Sequence, residues 1–363
     1  MKRVMIIANS YKTLLNFRIE LIQKLIYLKY DVIIIIPHNN NNILLSKYPI
    51  KILEVPLSRF SINPLKEFIL LFRIFKIIRS YKPDKILTFT IKPNLYVGII
   101  KSLFNQKFAF IPTITGLGKN FQNPFTTLFF LFLYKFAFLK AYKIFFQNRS
   151  NWQLFLSKKI VNQNNSLIVN GSGVNINYYP YSEPNFSSTK KFLMVSRLRK
   201  DKGLDEFFSI INEINLLYPN VIFGLIGWIE EKKYIKILHK YSKFKNFIYF
   251  GELSQKEVKN KIIEFDCIIH PSHHEGMSNV LLEAGALGRP AIASNIPGCN
   301  DIIINNVNGF LFILKDHKDL LSKVIKYINL DFKEENLMSV NSNRIIVEKF
   351  SREEVTNLYL NNI

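Results

Sequence analysis

The sequence predicts an α/β fold made of two doubly wound, Rossmann-like domains that face each other across a cleft. Three observations support this prediction. The chain has 363 residues, enough for two domains of about 150 to 200 residues each. Short apolar segments alternate with longer segments of helical periodicity, as in parallel sheets with crossover helices. The alternation stops in a polar, turn-rich stretch over 170–190 and then starts again.

The turn-rich stretch is predicted to separate a first domain, 1–172, from a second domain, 173–344. A terminal helix over about 345–363 is expected to pack back on the first domain. The first domain should contain strands Arg3–Ala8, Asp31–Pro37, Ile50–Val55, Lys85–Phe89, Phe108–Thr113 and Lys143–Gln147. The second should contain Phe192–Ser196, Val221–Gly227, Asn246–Phe250, Asp266–His270, Ala291–Ser294 and Gly309–Phe312. Apolar spacings of three and four predict helices over Asn16–Lys29 and Pro64–Lys82.

Positive charge is concentrated in the first half through a shortage of acids. Residues 1–180 hold 25 of the 49 Lys and Arg but only 5 of the 27 Asp and Glu, whereas 181–363 hold 24 basic and 22 acidic residues. A codon bias toward lysine would not remove acids, so we expect a functional basic face. The segments Leu65–Lys82 and Pro124–Phe146 mix Phe and Leu with Lys and Arg. They predict either core helices or helices that lie on an anionic membrane.

The cysteines and the apolar runs indicate the compartment. Cys267 and Cys299 are too few for a disulfide framework and predict free thiols in a reducing environment. The first apolar run ends at Ala8, shorter than a signal-peptide core. The longest uncharged apolar stretch, 120–134, falls short of the about 20 residues that span a bilayer. We therefore expect a cytoplasmic protein without a transmembrane helix.

Basic side chains follow the first predicted strand of the second half. In open parallel sheets, ligands bind beyond the carboxyl ends of the strands. Arg197 lies at the end of Phe192–Ser196, and Lys202 lies just before the next helix. A guanidinium group and an ammonium group together suit a diphosphate. The other interpretation is a solvated basic loop.

A second segment, after strand Asp266–His270, predicts a short helix with an anion site. Ser278 is the expected N-cap and Gly288 the expected C-terminal stop, so the helix should cover Asn279–Leu287. Its first amides would face an anion.

Two carboxylates belong to the same segment. Glu283, one turn into the helix, is expected to accept hydrogen bonds from the vicinal hydroxyls of a ribose. Glu275, in the preceding loop, would do so for another polyol such as a sugar.

Together these motifs resemble the donor-binding half of retaining glycosyltransferases of the GT-B fold, in the nucleotide-sugar family numbered 4. The matching features are the pair Arg197 and Lys202, and the element Glu275-x7-Glu283 in a Pro-Ser-x-x-Glu-Gly context. The segment 168–175 resembles the hinge that precedes the donor domain, and Gly227 follows the second strand as in the family. In the first half, 113–121 and 16–18 resemble members that extend lipid-linked oligosaccharides in bacteria, including N-acetylhexosamine transferases.

The resemblance implies transfer of a sugar, with an N-acetylhexosamine as the leading expectation, from a UDP-sugar to a polyprenyl-diphosphate-linked saccharide. The product would enter a bacterial surface polysaccharide or glycoprotein glycan. The reaction would retain anomeric configuration and need no metal and no cofactor besides the nucleotide sugar. The first domain would meet the acceptor, and the second would bind the donor. The enzyme is expected at the anionic inner face of the plasma membrane, without a nucleic-acid partner.

The resemblance also assigns roles to residues. The expected catalytic residues are Arg197, Lys202 and Glu275, with the two cations neutralising the departing diphosphate. The expected donor-binding residues are Gly276, Met277, Ser278, Asn279, Val280, Glu283, Gly227, Thr115 and Gly116. The expected acceptor-binding residues are Arg18 and Lys119.

The chain departs from the family pattern at two places in its first half. Many relatives carry a histidine in the region of Thr113–Gly116 that contacts the donor sugar, and this sequence has none there. Thr115 and the amides of Gly116 and Gly118 are the nearest replacements. The early glycine-rich loop of the family is replaced by 9–12, with the sequence Asn-Ser-Tyr-Lys.

Other functions fit the sequence less well. His270, His273 and His274 suggest a metal site, but no second ligand cluster completes it, and the chain has no Asp-x-Asp motif. A phosphate-binding Gly-x4-Gly-Lys-Ser/Thr motif is missing. No nucleic-acid module occurs, and the aromatic residues lie in apolar segments. A UDP-sugar 2-epimerase of the same architecture and a non-catalytic membrane scaffold stay as alternatives.

Overall fold

Runs of β-branched and apolar residues form the strands, and the segments of helical periodicity form the helices. The structure is a computed structural model that describes residues 1–38, 45–57, 63–104, 106–117, 121, 123–185 and 189–363. Up to residue 168 the elements are β1 Arg3–Ile7, α1 Tyr11–Tyr27, β2 Asp31–Pro37, β3 Lys51–Val55, α2 Pro64–Tyr81, β4 Lys85–Phe89, α3 Ile91–Leu103, β5 Ala109–Ile114, α4 Pro124–Ala137, β6 Ile144–Phe146, α5 Arg149–Ser157 and β7 Ser166–Ile168.

The second series begins after residue 190 and has the same alternation. Its elements are β8 Lys191–Val195, a 3-10 turn Lys200–Lys202, α6 Leu204–Leu217, β9 Ile222–Ile226, α7 Lys233–Tyr241, β10 Phe247–Tyr249, α8 Gln255–Glu264, β11 Cys267–His270, α9 Asn279–Ala286, β12 Ala291–Ser294, β13 Gly309–Phe312, α10 His317–Ile328, α11 Phe332–Phe350 and α12 Arg352–Asn361. All the predicted strands are confirmed, to within one residue at each end. The structure adds β7, which was not predicted. The first predicted helix starts earlier than expected because Ser10 caps it by accepting from the amide of Thr13.

Both sheets are parallel and doubly wound, which confirms the predicted fold class. The first has the strand order β3-β2-β1-β4-β5-β6-β7, and the second has the order β10-β9-β8-β11-β12-β13. Each sheet is buried on both faces, so its strands have almost continuous apolar sequences. In β2, for example, Val32, Ile34 and Ile36 pack into one core cluster, and Ile33 and Ile35 pack into another.

The strand orders also locate the two switch points of the fold. In the first sheet, β2 and β3 lie on one side of β1, and the later strands, β4 to β7, lie on its other side. In the second sheet the same reversal occurs between β8 and β11. Loops that leave the carboxyl ends of the strands diverge at such a point and leave a crevice for a ligand.

The chain forms two compact units. One contains Met1–Ser172 and Arg352–Ile363, and the other contains Gly173–Ser351. The terminal helix expected over about 345–363 is shorter: α12, Arg352–Asn361, belongs to the first unit as expected, whereas 345–350 belong to α11. Two helices, α11 and α12, are separated by Ser351, whose extended backbone pairs with Val174. The sequence Ser-x-x-Glu at 351–354 matches a helix-start pattern that the sequence analysis missed.

Candidate active site

The loops after β8 and β11 approach each other very closely at the switch point of the second sheet. Gly203 has a φ of +75°, and a Cβ atom built on it would lie 1.9 Å from the carbonyl oxygen of Pro271. Only glycine combines this conformation with this separation. The contact holds Lys202 beside the loop that carries Glu275.

Lys202 and Glu275 form an ion pair within a small polar cluster. The Nζ atom of Lys202 donates to Oε1 of Glu275 at 2.7 Å and lies 3.4 Å from Oγ of Ser272. The side chains of Lys202 and Glu275 are only 15% and 14% exposed. His270, the last residue of β11, places its Nε2 atom 3.1 Å from the same carboxylate oxygen and 3.1 Å from Oγ of Ser278. The structure therefore brings together two of the three predicted catalytic residues.

The cluster keeps Glu275 ionised. Burial favours the neutral carboxyl, but the hydrogen bond from His270 and the charge of Lys202 outweigh it and hold the pKa of Glu275 below its ordinary value. A carboxylate only accepts hydrogen bonds, so Nε2 of His270 carries the proton in this contact. Glu275 is thus a fixed anionic acceptor at the edge of the sheet.

Arg197, the third predicted catalytic residue, belongs to a second charge cluster. Its Nη1 atom donates to Oε2 of Glu230 at 2.9 Å, and Arg199 donates to the other oxygen of Glu230 at 3.2 Å. Arg199 also holds Asp201 through two hydrogen bonds, the longer of which is 2.6 Å. Glu230 is not among the residues that the sequence patterns predict for the site. Glu230 lies in the loop after β9, at the same carboxyl edge of the sheet. Its position after a strand could have marked it as a site residue, because ligands bind at that edge.

The start of α9 is built as predicted. Ser278 is the N-cap, and its Oγ atom accepts from the amide of Leu281 at 3.4 Å. Gly288 ends the helix with a φ of +78°. Met277 is buried, whereas Gly276, Asn279 and Val280 are partly exposed beside the first amides of the helix. The amides that should face an anion therefore follow Glu275 within a few residues of the chain.

Glu283 lies one turn into α9 and interacts with Tyr179. Burial, and then the charge and hydrogen bond of Glu283, raise the pKa of the Tyr179 hydroxyl. Since a carboxylate only accepts, Tyr179 donates to Glu283, and Gln255 donates to Tyr179 at 3.1 Å. These contacts orient the carboxylate that the sequence assigns to a ribose.

Gly227 lets β9 end close to β8. A Cβ atom at this position would lie 1.7 Å from the carbonyl oxygen of Ser196. The amide of Gly227 donates to the carbonyl of Gly251 at 2.8 Å. Gly227 thus shapes the same carboxyl edge that carries Arg197.

Comparisons with known proteins agree with this architecture. A glycosyltransferase from Rickettsia africae superimposes with a TM-score of 0.80 at 19% identity, covering 99% of this chain and 97% of its own. The Anabaena protein HepE in complex with UDP also gives 0.80, at 17% identity, covering 99% of both chains. Two family models match the sequence: "Glycosyl transferase 4-like" over residues 3–148 and "Glycosyl transferases group 1" over residues 180–344.

The chain is a glycosyltransferase of the GT-B fold. A sequence relative of this transferase is the N,N'-diacetylbacillosaminyl-diphospho-undecaprenol alpha-1,3-N-acetylgalactosaminyltransferase of Campylobacter jejuni. The two are 26% identical over 350 residues, which cover 89% of this chain and 88% of the relative. The resemblance to GT-B glycosyltransferases of family 4 is therefore confirmed.

Three of the predicted donor- and acceptor-binding residues belong to the described part of the first unit of the transferase. Thr115 and Gly116 follow β5 and are partly exposed. Arg18 is 5% exposed, and its guanidinium group lies 4.5 Å from the ring centroid of Phe89 and 5.6 Å from that of Tyr359. Burial lowers the pKa of Arg18. Lys119 and Gly118 lie outside the described residues.

Thr90 of the glycosyltransferase has an unusual backbone conformation and a buried hydroxyl group that the sequence did not predict. It follows β4 at the switch point of the first sheet and has φ and ψ values of 77° and 167°, a region that non-glycine residues rarely occupy. Its Oγ1 atom is buried without a hydrogen-bond partner among the described residues. Neither feature leaves a signal in the sequence, because both depend on how β4 and α3 are joined.

Two of the three histidines that suggested a metal site, His270 and His273, have protein partners. His273 holds Glu206 at 2.8 Å, and its amide donates to the carbonyl of Asp201 at 2.9 Å. This contact fastens the loop after β11 to α6. Within the described ranges, no group of three or more His, Cys, Asp or Glu side chains is arranged to hold a metal ion. In the same ranges, no helix has both the length and the apolar character needed to cross a membrane.

Proposed function

We propose that this glycosyltransferase moves a sugar, with an N-acetylhexosamine as the leading choice, from UDP to a polyprenyl-diphosphate-linked saccharide. It would act at the inner face of the plasma membrane, with the second unit binding the donor and the first binding the acceptor. The observation that carries the proposal is the buried pair of Lys202 and Glu275 at the switch point of the second sheet, beside the capped start of α9.

Lys202 and Arg197 would stabilise the departing diphosphate. Negative charge grows on the β-phosphate as the bond to the sugar breaks, and fixed cations lower the energy of that state. The amides of 277–280 would add partial positive charge at the start of α9. In this proposal side chains and amides supply the positive charge, so transfer needs no metal ion.

Glu275 and Glu283 would orient the two ends of the donor. Glu275 stays ionised, so it accepts hydrogen bonds from sugar hydroxyls near the anomeric carbon. Glu283, oriented by Tyr179, would accept from the hydroxyls of the ribose. Gly276 and Gly227 allow the backbone to come close to the nucleotide sugar, and Thr115 with Gly116 would contact the donor from the first unit.

The proposed transfer retains configuration at the anomeric carbon. The acceptor oxygen forms a bond to that carbon on the face from which the diphosphate leaves. The bond between the carbon and the β-phosphate oxygen breaks, and the proton of the acceptor hydroxyl passes to that oxygen. The products are the extended saccharide and UDP. Arg18 and Lys119 are proposed on the acceptor side.

Two comparisons support the choice of substrates. The Campylobacter jejuni relative has a name that specifies an undecaprenyl-diphosphate-linked acceptor and an N-acetylgalactosamine donor sugar. The Anabaena structural neighbour was solved with UDP. The positive charge of the first half of the chain suits a diphosphate-linked acceptor in an anionic membrane.

A donor screen tests the proposal. Purified protein is mixed with bacterial membrane extract and with UDP-, GDP- or ADP-sugars, with and without EDTA, and nucleotide release is measured. We expect UDP release that requires the extract and survives EDTA, and an α-linked product by NMR from an α-linked donor. Extract-independent consumption of the UDP-sugar would favour hydrolysis or epimerisation, and no turnover with any donor would favour the scaffold alternative.

A matched pair of variants ties the activity to the site. Lys202→Met removes the ammonium group that holds Glu275, whereas Lys200→Met changes an exposed lysine of the same 3-10 turn. We expect a loss of kcat of at least about 100-fold for Lys202→Met, as for the removal of a group that stabilises a transition state. Lys200→Met should retain activity. Equal activities would contradict the role of Lys202.

A further inference from the structure

Helices α2 and α4 each carry an apolar stripe that faces away from the protein. The stripes lie in the first two turns of each helix and share the spacing i, i+3, i+4, i+7. They consist of Leu65, Phe68, Ile69 and Phe72 in α2, and of Phe125, Leu128, Phe129 and Phe132 in α4. Their relative exposures run from 47% to 85%. Large apolar side chains exposed in this pattern mark an interaction surface.

The stripes are distinct from the core-facing sides of the same helices. Leu70, Ile74 and Ile78 of α2 are buried in the core of the first unit, and Leu131 and Tyr134 of α4 enter the same core. Core packing thus accounts for one side of each helix and leaves the other side unexplained. An ordinary surface helix is polar on its outer side.

The two stripes lie on one layer of the first unit. Helices α2 and α4 both pack against α3, and Gly98 of α3 closely approaches the backbone of Ala137. A helix that follows a parallel strand begins at the carboxyl edge of the sheet. Because each stripe occupies the start of its helix, both lie toward the edge at which Thr90 follows β4.

Positive charge surrounds the stripes. Lys66, Arg73, Lys76 and Arg79 of α2 are exposed, and Lys76 lies 4.8 Å from the ring centroid of Phe72. Lys135 and Lys140, in and after the last turn of α4, are exposed as well. The two helices contain one acidic residue, Glu67. It is paired with Lys92 at 2.7 Å, so it does not offset the exposed cations.

We propose that the twin stripes insert into the headgroup and acyl boundary of an anionic bilayer. Apolar side chains ringed by lysine and arginine match that boundary, where the rings enter the lipid and the cations meet the headgroups. A second copy of this chain fits less well, because it would set cations against cations. The inference rests on the proposed function and makes it more specific, since it names the side chains that enter the membrane.

Insertion would bring the carboxyl edge of the first sheet to the membrane surface. The diphosphate of a polyprenyl-linked saccharide lies at that depth, because its lipid chain is in the bilayer and its sugars are in water. Positive charge alone would give binding that disappears as salt screens it. The stripes add an apolar contribution that salt does not screen.

Vesicle sedimentation at low and high salt tests insertion. The probe is a set of vesicles with equal parts of phosphatidylcholine and phosphatidylglycerol. Phe129→Ser combined with Phe132→Ser should weaken binding by at least about tenfold, and should abolish the part that resists salt. The control is Leu216→Ser with Leu217→Ser, which changes exposed leucines in α6 of the second unit, 83% and 60% exposed. Equal binding by both double variants would overturn the proposal.

A depth measurement gives a second readout. Phe129→Trp should be quenched by brominated acyl chains, whereas Leu216→Trp should not, with Trp152 and Trp228 as a constant background in both. No quenching at 129 would refute insertion. A dimer of the native protein that the Phe129 and Phe132 changes dissociate would assign the stripes to a second copy and also refute it. Neither measurement uses a sugar donor, so either result is independent of the proposed transfer reaction.

Discussion

Breaking the pair of Lys202 and Glu275 should cost stability as well as activity. Each side chain is about 85% buried, and the two are 2.7 Å apart. Removing one partner leaves the other charge in a poorly solvated place, which typically costs 3 to 5 kcal/mol when a pair is fully buried. Because both groups keep some contact with solvent, we expect about 3 kcal/mol for Glu275→Ala and about the same for Lys202→Met.

The double variant measures the coupling between the two groups. Once one partner is gone, removing the second relieves an unpaired charge, so we expect the double variant to lose about 4 kcal/mol and the coupling energy to be about 2 kcal/mol. The control is the exposed pair of Lys261 and Glu264 in α8, 2.6 Å apart. It should show a coupling energy of about 0.3 to 0.5 kcal/mol.

Urea unfolding followed by tryptophan fluorescence is the assay. The chain has two tryptophans, Trp152 in the first unit and Trp228 in the second. A Trp152→Phe background therefore reports on the unit that contains the pair, which matters because two units need not unfold together. A coupling energy for Lys202 and Glu275 no larger than that of the control pair would refute the reasoning.

The remaining predictions concern backbone, charge and pH. Gly203→Ala should lower the melting temperature and the rate of sugar transfer far more than Gly251→Ala. Both glycines have a φ near +75°, but only at Gly203 would the added Cβ atom collide with a backbone atom. Equal effects would show that backbone strain alone matters. Glu230→Gln should tighten UDP binding by about threefold to tenfold in calorimetry at low salt, since a diphosphate competes with this carboxylate for Arg197; weaker binding would assign Glu230 an orienting role. The pKa of Glu275 is lower in the folded state than its ordinary value of 4.5. The ionised carboxylate therefore contributes fully to stability above pH 4.5, and this contribution is lost as the pH falls through the pKa of the folded state. The stability difference between the native protein and Glu275→Gln should therefore shrink in acid, and a constant difference would contradict this. Arg289→Met should cost about 3 kcal/mol in urea unfolding, because the buried guanidinium group donates to four backbone carbonyls; a cost below about 1 kcal/mol would mean that the loops repack.

Local patterns of sequence predicted most of the fold. Strand positions follow from runs of apolar residues, because a strand of a doubly wound sheet is buried on both faces. The ends of α9 follow from Ser278 and Gly288, because a helix cap is decided within one turn. The start of α12 has a comparable local signal in Ser351 and Glu354.

The candidate site was predictable in position and residue type, but not in its pairing. The rule that ligands bind at the carboxyl ends of strands led to Arg197, Lys202 and Glu275. It did not indicate that Glu230 holds Arg197, or that Lys202 and Glu275 hold each other. Partners 73 residues apart in the chain leave no periodic pattern, and the strain at Thr90 leaves none either.

The sequence by itself determined which segments are strands and helices, where charge accumulates, and which side chains follow the strands. These properties depend on neighbours within a few residues. Only the tertiary structure decided which charges are paired and which apolar sides are covered. In α2 and α4 the sequence shows apolar residues on nearly every side. Packing against the first sheet then separates Leu70 and Leu131, which are buried, from Phe68 and Phe129, which are exposed. Which side of a helix becomes buried depends on the segments that pack against it, and these segments are distant in the sequence.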